Sequence, residues 1–444
     1  MILGIPKETF ADEKRVALTP AAVATLSKLK LEVHIERGAG EAAGFTDEQY
    51  EQRGAKLADR AALFSAADII AQVRAVGANP EQGAAEVDQL RRDQIVIGHA
   101  EPLTAHEQTQ AVAERGATLL AMELIPRITR AQAMDALSSQ ANLAGYMTVL
   151  LAATQMPKAF PMMMTAAGTI KPAKVFVIGA GVAGLQAVAT AKRLGAVVSA
   201  TDVRPATQEQ VESLGGKFVF LEEIMTEGEG GYARELTPEQ QEKQKALVAD
   251  VVAESDVVIT TAAIPGRKAP VLVTEQTVQR MNPRSVIVDM AAERGGNCEL
   301  TEAGQVVVKH GVTIIGTTNL PAMLAQDASA MYAGNIVKLL QHLVDDQGNL
   351  KLDMEDQITA GIVVTREGQV VHPKVRELMG LGPMTAEHAA QTPSEPGESA
   401  EATQTPPAPE GAADQTPTDD SANPQPADPS DTDRPNQSST GSGG

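Results

Sequence analysis

The chain has no tryptophan, four tyrosines and seven phenylalanines in 444 residues, so aromatics reach only 2%. That scarcity excludes the aromatic stacking platforms that hold single-stranded nucleic acids. One cysteine, Cys298, excludes a disulfide framework and a thiolate zinc quartet, and fits a reducing, cytoplasmic setting. Positive charge is short as well. Lys and Arg number 37 against 57 Asp and Glu, and a net charge of −20 argues against an extended phosphate-binding surface. No apolar run reaches the roughly 18 residues of a membrane span; the best candidate, "GYMTVLLAATQMPKAFPMMM", holds two prolines and a lysine. The start, "MILGIPKETF", has no basic segment leading into an apolar stretch, so no secretory signal is expected. No Cys/His/Asp/Glu cluster has metal-ligand spacing.

What is present is a 43% apolar content and a repeated alternation of strand and helix patterns. In residues 1–135, "LEVHIERG", "ADIIAQV", "QIVIGHA" and "ATLLAME" read as strands, and "TPAAVATLSKLK" as a helix with Thr19 as N-cap before Pro20. A long helix is expected over 133–155. Six more strands follow: "KVFVIG", "AVVSATD", "GKFVFL", "DVVITTAA", "SVIVDMAA" and "VTIIGT". Alternation at this spacing implies α/β architecture with two Rossmann-like, mostly parallel sheets. A second long helix, 327–344, precedes two alternating strands around a Glu367-Gly368 turn. There the chain is expected to rejoin the first domain, leaving a cleft between two domains bridged by long helices. The expected division is a discontinuous first domain, 1–135 with 327–384, and a nucleotide-binding domain, 136–326. Residues 391–444 carry ten acids against Arg434 alone and no apolar residue but alanine, so a disordered acidic tail is expected.

The stretch "VFVIGAGVAGLQA", 175–187, has the spacing Gly179-x-Gly181-x-x-Gly184 directly after a strand, and Asp202 ends the next. The first glycine suits a tight turn, the second close approach of backbone to a pyrophosphate, and the third close helix–strand packing. Asp202 lies where a carboxylate accepts from a ribose hydroxyl and repels a 2′-phosphate, favouring NAD over NADP. The polar stretch 222–241, with Tyr232 as its one aromatic, reads as a lid or a floppy insertion. His99 falls at the C-terminal end of a strand, as an acid–base candidate or a structural histidine. In "MELIPRITRAQAMDALSSQANLAGY", Arg127, Arg130 and Gln132 precede a helix carrying Asp135, Ser138, Ser139, Gln140 and Asn142. Polar groups this dense between two domains suit a cleft holding a polar ligand of unspecified kind.

Taken with "GIPKETFADEKRVALTPAAV", "FPMMMTAAGT", "GGYARE", "TTAAIPGRKAPVL", "GGNC" and "VTREGQVVHP", these stretches resemble the NAD(H)-binding alpha subunit of the proton-translocating NAD(P) transhydrogenases. That group lies within the alanine dehydrogenase/transhydrogenase family, and the resemblance covers residues 1–384. It implies direct hydride transfer between NADH and NADP⁺, coupled to proton translocation, with this chain supplying the NAD(H) site. It further implies that NADP(H) sits on a partner subunit among membrane-spanning partners, that this chain is a homodimer on the cytoplasmic face of the plasma membrane, and that no nucleic acid is involved. By position, Arg127, Gln132, Asp135 and Ser138 resemble the family's nicotinamide-end residues, with Gln132 reaching toward the second nucleotide. Gly179, Gly181, Val182 and Gly184 would hold the pyrophosphate, and Asp202, Val203 and Arg204 the adenosine ribose. Gly231 and Tyr232 would belong to a mobile loop, and Gln244 and Ala263 to further nucleotide contacts. The alternative is a stand-alone amino-acid dehydrogenase resembling alanine dehydrogenase, with His99 as acid–base.

Overall fold

A computed structural model describes residues 1–220, 237–263 and 266–382. Gly231, Tyr232 and the acidic tail lie outside the described residues. Among those described, the strands run in chain order as β1 (Ile2–Ile5), β2 (Glu32–Glu36), β3 (Lys56–Ala58), β4 (Ile69–Arg74), β5 (Ile95–His99) and β6 (Thr118–Ala121). A short hairpin follows, β7 (Met163–Thr165) and β8 (Gly168–Ile170). The second series is β9 (Lys174–Ile178), β10 (Val197–Thr201), β11 (Lys217–Phe218), β12 (Val257–Thr260), β13 (Val286–Asp289), β14 (Val306–Lys309) and β15 (Val312–Ile315). Last come β16 (Val363–Arg366) and β17 (Gln369–Val370).

Two mostly parallel sheets result. The first has the order β17-β16-β6-β5-β4-β1-β2-β3, and the second β11-β10-β9-β12-β13-β15-β14. In both, the first strand sits centrally, with the next two on one side and the fourth to the sixth parallel strands on the other, which is the doubly wound arrangement. Strands such as β6, β12 and β13 are buried along their whole length, as expected where helices cover both faces. The antiparallel strands β16 and β17 close one edge of the first sheet through a turn in which Glu367 and Gly368 both have positive φ, +52° and +83°.

Two long helices tie the sheets together. Helix Ala136–Gln155 packs on helix Val182–Arg193 so closely that a Cβ on Gly145 would lie 2.1 Å from the Ala183 carbonyl oxygen. Helix Ala325–Leu343 buries Tyr332, Ile336, Leu339, Leu340 and Leu343 in the core of the first sheet. Ser139 Oγ donates to Asn335 Oδ1 at 2.7 Å across the two helices.

Several local expectations need correction. Strands β1, β3, β7, β8 and β14 go beyond those expected from the sequence, and "GKFVFL" contributes only the two-residue β11. Thr19 occupies the N-cap position without a side-chain cap bond, so Pro20 at the first helical position carries the start of that helix. The polar stretch 222–241 does not run to its expected end as loop. Thr237 and Gln240 form a capping box that starts helix Pro238–Glu254.

Candidate nucleotide site at the switch point of the second sheet

Strand β9 lies where the winding of the second sheet reverses, and such points open a crevice at the C-terminal strand ends. There the chain turns through Gly179, whose φ is +106° and whose Cβ position lies 2.4 Å from Thr261 Oγ1. Only glycine fits on both counts. A Cβ on Gly184 would sit 1.8 Å from the Gly179 carbonyl oxygen, so this glycine lets helix Val182–Arg193 press against the turn. Gly181 differs: a Cβ there meets nothing within 4 Å. Gly181 also caps the helix without any side-chain bond to its first amides. Free amides and the positive end of the helix dipole therefore face open space, a cradle suited to an anion.

Asp202 forms the second wall of the crevice. Its Oδ2 accepts from the Ala180 amide at 2.7 Å, and its Oδ1 from the Arg204 amide at 2.9 Å. Arg204 also lays its guanidinium on the same carboxylate, with Nε 2.9 Å from Oδ1 and Nη2 3.1 Å from Oδ2. Burial of Asp202 works against its charge, but the Arg204 side chain and the two amides outweigh it and hold the carboxyl below its ordinary range. The Asp202 side chain is 7% exposed, whereas that of Arg204 is 59% exposed, so the arginine forms the lid of the pair. Val203 is exposed beside them, and Gln244 Nε2 reaches Thr201 Oγ1 at 3.4 Å.

Ala263 is exposed beyond the end of β12, and its neighbour Ala262 is clamped. Asn297 accepts from the Ala262 amide at 3.0 Å and donates to the Ala262 and Pro270 carbonyls at 2.9 and 2.8 Å. Asn297 is in turn fixed by Asp289, a fully buried carboxylate. Asp289 accepts from the amides of Asn297, Cys298 and Ala291 and from the hydroxyls of Thr260 and Thr301. Sequence reasoning missed this pair. The available signal was an aspartate ending a fully apolar strand, followed by a glycine pair and asparagine.

The second group of residues lies at the head of helix Ala136–Gln155. Asp135 caps it, accepting from the Ser138 amide at 2.9 Å and the Ser138 hydroxyl at 2.6 Å. Arg127 and Gln132 are exposed on the approach to this cap, with no side-chain hydrogen bond to the described residues. Ser138 and Gly145 are about 10 Å apart along the helix, and Gly145 touches Ala183 at the glycine turn. The polar residues of this segment do not all face one ligand. Gln140 donates to the Ala328 carbonyl and accepts from Arg15, Ser139 bonds Asn335, and Arg130 pairs with Asp356.

At the corresponding switch point of the first sheet, side chains bond the strand ends directly. Glu8, just beyond β1, accepts from the Val73 and Arg74 amides at the end of β4, at 2.6 and 3.1 Å. Burial, with the nearby Glu13 charge, pushes Glu8 up to about 8 against the pull of those amides. His99 ends β5, its ring centroid 5.6 Å from that of Tyr332 and its Nδ1 3.6 Å from Glu123 Oε2. No glycine turn follows β1.

Fold and site together define a two-sheet α/β protein with an anion cradle and a buried carboxylate at one switch point. Residues 4–144 match the family "Alanine dehydrogenase/PNT, N-terminal domain", and residues 148–373 match "Alanine dehydrogenase/PNT, C-terminal domain". A Rhodospirillum rubrum protein, named as the first piece of an NAD(P) transhydrogenase subunit alpha, is 50% identical over 378 residues, 84% of this chain and 98% of that one. The crystal structure of a transhydrogenase from Sinorhizobium meliloti superposes with a TM-score of 0.76 at 48% identity, covering 84% of this chain and 100% of that one. The Bacillus subtilis alanine dehydrogenase is 29% identical, over 89% of this chain and 99% of its own. The chain belongs to the alanine dehydrogenase/PNT family, and within it resembles transhydrogenase alpha subunits more than alanine dehydrogenase. Among the described residues, no helix is long and apolar enough to cross a membrane.

Proposed function

We propose that this chain is the NAD(H)-binding subunit of a membrane transhydrogenase, exchanging hydride directly with NADP(H) held on another subunit. The observation that carries the reading is the turn at Gly181, open above its Cβ position and flanked by the Asp202 carboxylate. The first amides of helix Val182–Arg193 would take the pyrophosphate, and Asp202, Val203 and Arg204 the adenosine ribose. Gln244 and Ala263 line the same crevice in this reading.

Arg127, Gln132, Asp135 and Ser138 would orient the nicotinamide end. When bound, the nucleotide supplies the hydride; the chain's task is to hold the ring in register and keep its reactive face toward the partner subunit. Orientation of this kind accounts for large rate factors without an acid–base group. Ser138 is fixed by Asp135, so it presents its hydroxyl in one geometry, while Gln132 stands exposed where a second nucleotide would approach.

In this reading the chain is a homodimer, held through membrane-spanning partners on the cytoplasmic face of a membrane where they translocate protons. The hairpin β7–β8 supports a protein contact, since Met162, Met163, Met164 and Ile170 are all exposed there. The first domain comprises 1–135 with 327–384, and the nucleotide domain 136–326. Calorimetric titration with NADH, followed by a transfer assay with an NADP(H)-binding partner subunit, tests the proposal. NADH binding with partner-dependent transfer supports it, and absence of NADH binding refutes it.

A further inference from the structure

One three-residue turn in the second domain reaches both neighbouring strand ends of the first. The turn Ala292–Arg294 follows β13. Glu293 Oε1 lies 3.3 Å from Arg74 Nη2, at the end of β4. Arg294 Nη2 lies 2.7 Å from Glu101 Oε1, just past the end of β5. The two pairs have opposite polarity, so a one-residue slip in either direction would set like charges against each other. Opposed polarity of this kind specifies register as well as attraction.

Both ends of the device are held firmly. On the second-domain side, Asp289 accepts from the Ala291 amide at the root of the turn, and the Ala269 amide donates to the Arg294 carbonyl at 2.8 Å. Glu293 Oε1 also accepts from the Asn319 amide at 2.6 Å, at the start of the segment that returns to the first domain. On the first-domain side, the Glu101 amide donates to the half-buried Glu123 carboxylate at 2.5 Å. Arg74 is braced by the Phe10 ring, 4.1 Å from its guanidinium carbon, and by Glu13 at 3.4 Å. The Arg74 and Glu293 side chains and the backbone at Arg294 and Glu101 are held in place, so pairing orders less of the chain than in ordinary surface ion pairs.

The same Asp289 that roots the turn also fixes Asn297, which clamps Ala262 at the edge of the nucleotide crevice. A shift of the turn therefore moves the crevice wall relative to the first domain. We infer that Glu293 and Arg294 are positioning residues, a paired latch to Arg74 and Glu101 that sets how far the two domains close around the nucleotide. This rests on the reading of the switch-point crevice as a nicotinamide nucleotide site. If only the closed arrangement binds productively, loosening the latch raises the apparent Kd in inverse proportion to the fraction of molecules that stay closed.

The test combines NADH calorimetry with an interdomain distance measurement on the full-length chain. Spin labels on Glu107→Cys and Glu209→Cys report the distance, with labelled chains diluted in unlabelled ones; the one native thiol, Cys298, is buried. Glu101→Gln and Arg294→Gln are each expected to raise the NADH Kd roughly three- to tenfold and to broaden the distance distribution. Exchanging the charges, Glu101→Arg with Arg294→Glu, restores the attraction while leaving both pairs with one polarity, and is expected to bring both readouts most of the way back to the parent values, which a general loss of packing would not do. Single variants with parental Kd and parental distances would overturn the latch while leaving the nucleotide site intact. Failure of the charge exchange to restore either readout would also overturn it. A parent chain that binds no NADH would instead strike the nucleotide reading, and the distance distributions would still decide the latch.

Discussion

Arg204 lies across Asp202 and bonds both of its carboxylate oxygens, at 2.9 and 3.1 Å. The carboxylate that would discriminate against a 2′-phosphate is therefore partly neutralised by its own neighbour. Asp202→Asn is expected to weaken NADH binding roughly tenfold, by about 1.4 kcal/mol, and to narrow the gap between NADH and NADPH. Arg204→Ala is expected to widen that gap, because the remaining carboxylate repels a phosphate unscreened. Titration of each variant with both reduced nucleotides checks this. Equal or tighter NADPH binding by the unmodified chain would contradict it.

The glycines separate fold from binding. Gly184→Ala drives a methyl into the Gly179 carbonyl, and is expected to destabilise the chain by roughly 2–3 kcal/mol. Gly181→Ala meets nothing in the protein and has an ordinary φ of −80°, so thermal stability should be unchanged. Its methyl would stand in the anion cradle, and NADH affinity should fall at least tenfold. A Gly181→Ala chain that bound NADH normally would remove the pyrophosphate from this turn.

Glu8 gives the chain a pH-dependent stability. Its folded value near 8 lies above the ordinary 4.5. The folded state thus keeps a proton that the unfolded state releases, and stability falls as pH rises from about 5 to 8. Glu8→Gln removes that dependence. The variant should show a flatter stability profile across this window and should melt above the parent at pH 9. Parallel profiles for the two proteins would show that Glu8 is ionised in the folded state.

The crevice was legible in the sequence because its chemistry is local. Gly179, Gly181 and Gly184 fall within six residues, and Asp202 directly follows the strand that pairs in register beside theirs, with Thr201 opposite Ile178. The long helices were legible from the length of their patterns. Strand β1 was not, since four residues before Pro6 carry no periodicity to tell strand from buried coil. Strand β14 alternates exposed and half-buried residues at a sheet edge, too weak a pattern to stand out. The clamp of Asn297 on Ala262 and the pairing of Arg294 with Glu101 were out of reach, because partners 35 and 193 residues apart meet only through topology. For the same reason Ser139 and Gln140 read as cleft residues, when the neighbouring helix and Arg15 take up their polar groups.

The most direct test of the account is hydride exchange between nucleotides in the presence of an NADP(H)-binding partner subunit, set against turnover of alanine or pyruvate by the chain alone. Rapid transfer is expected only with the partner present. Gln132→Asn should slow that transfer strongly at nearly unchanged NADH affinity, since misalignment of a ring costs rate more than binding. His99→Ala should have a small effect. Robust alanine- or pyruvate-dependent turnover by the isolated chain, abolished by His99→Ala, would contradict the account and identify an amino-acid dehydrogenase instead.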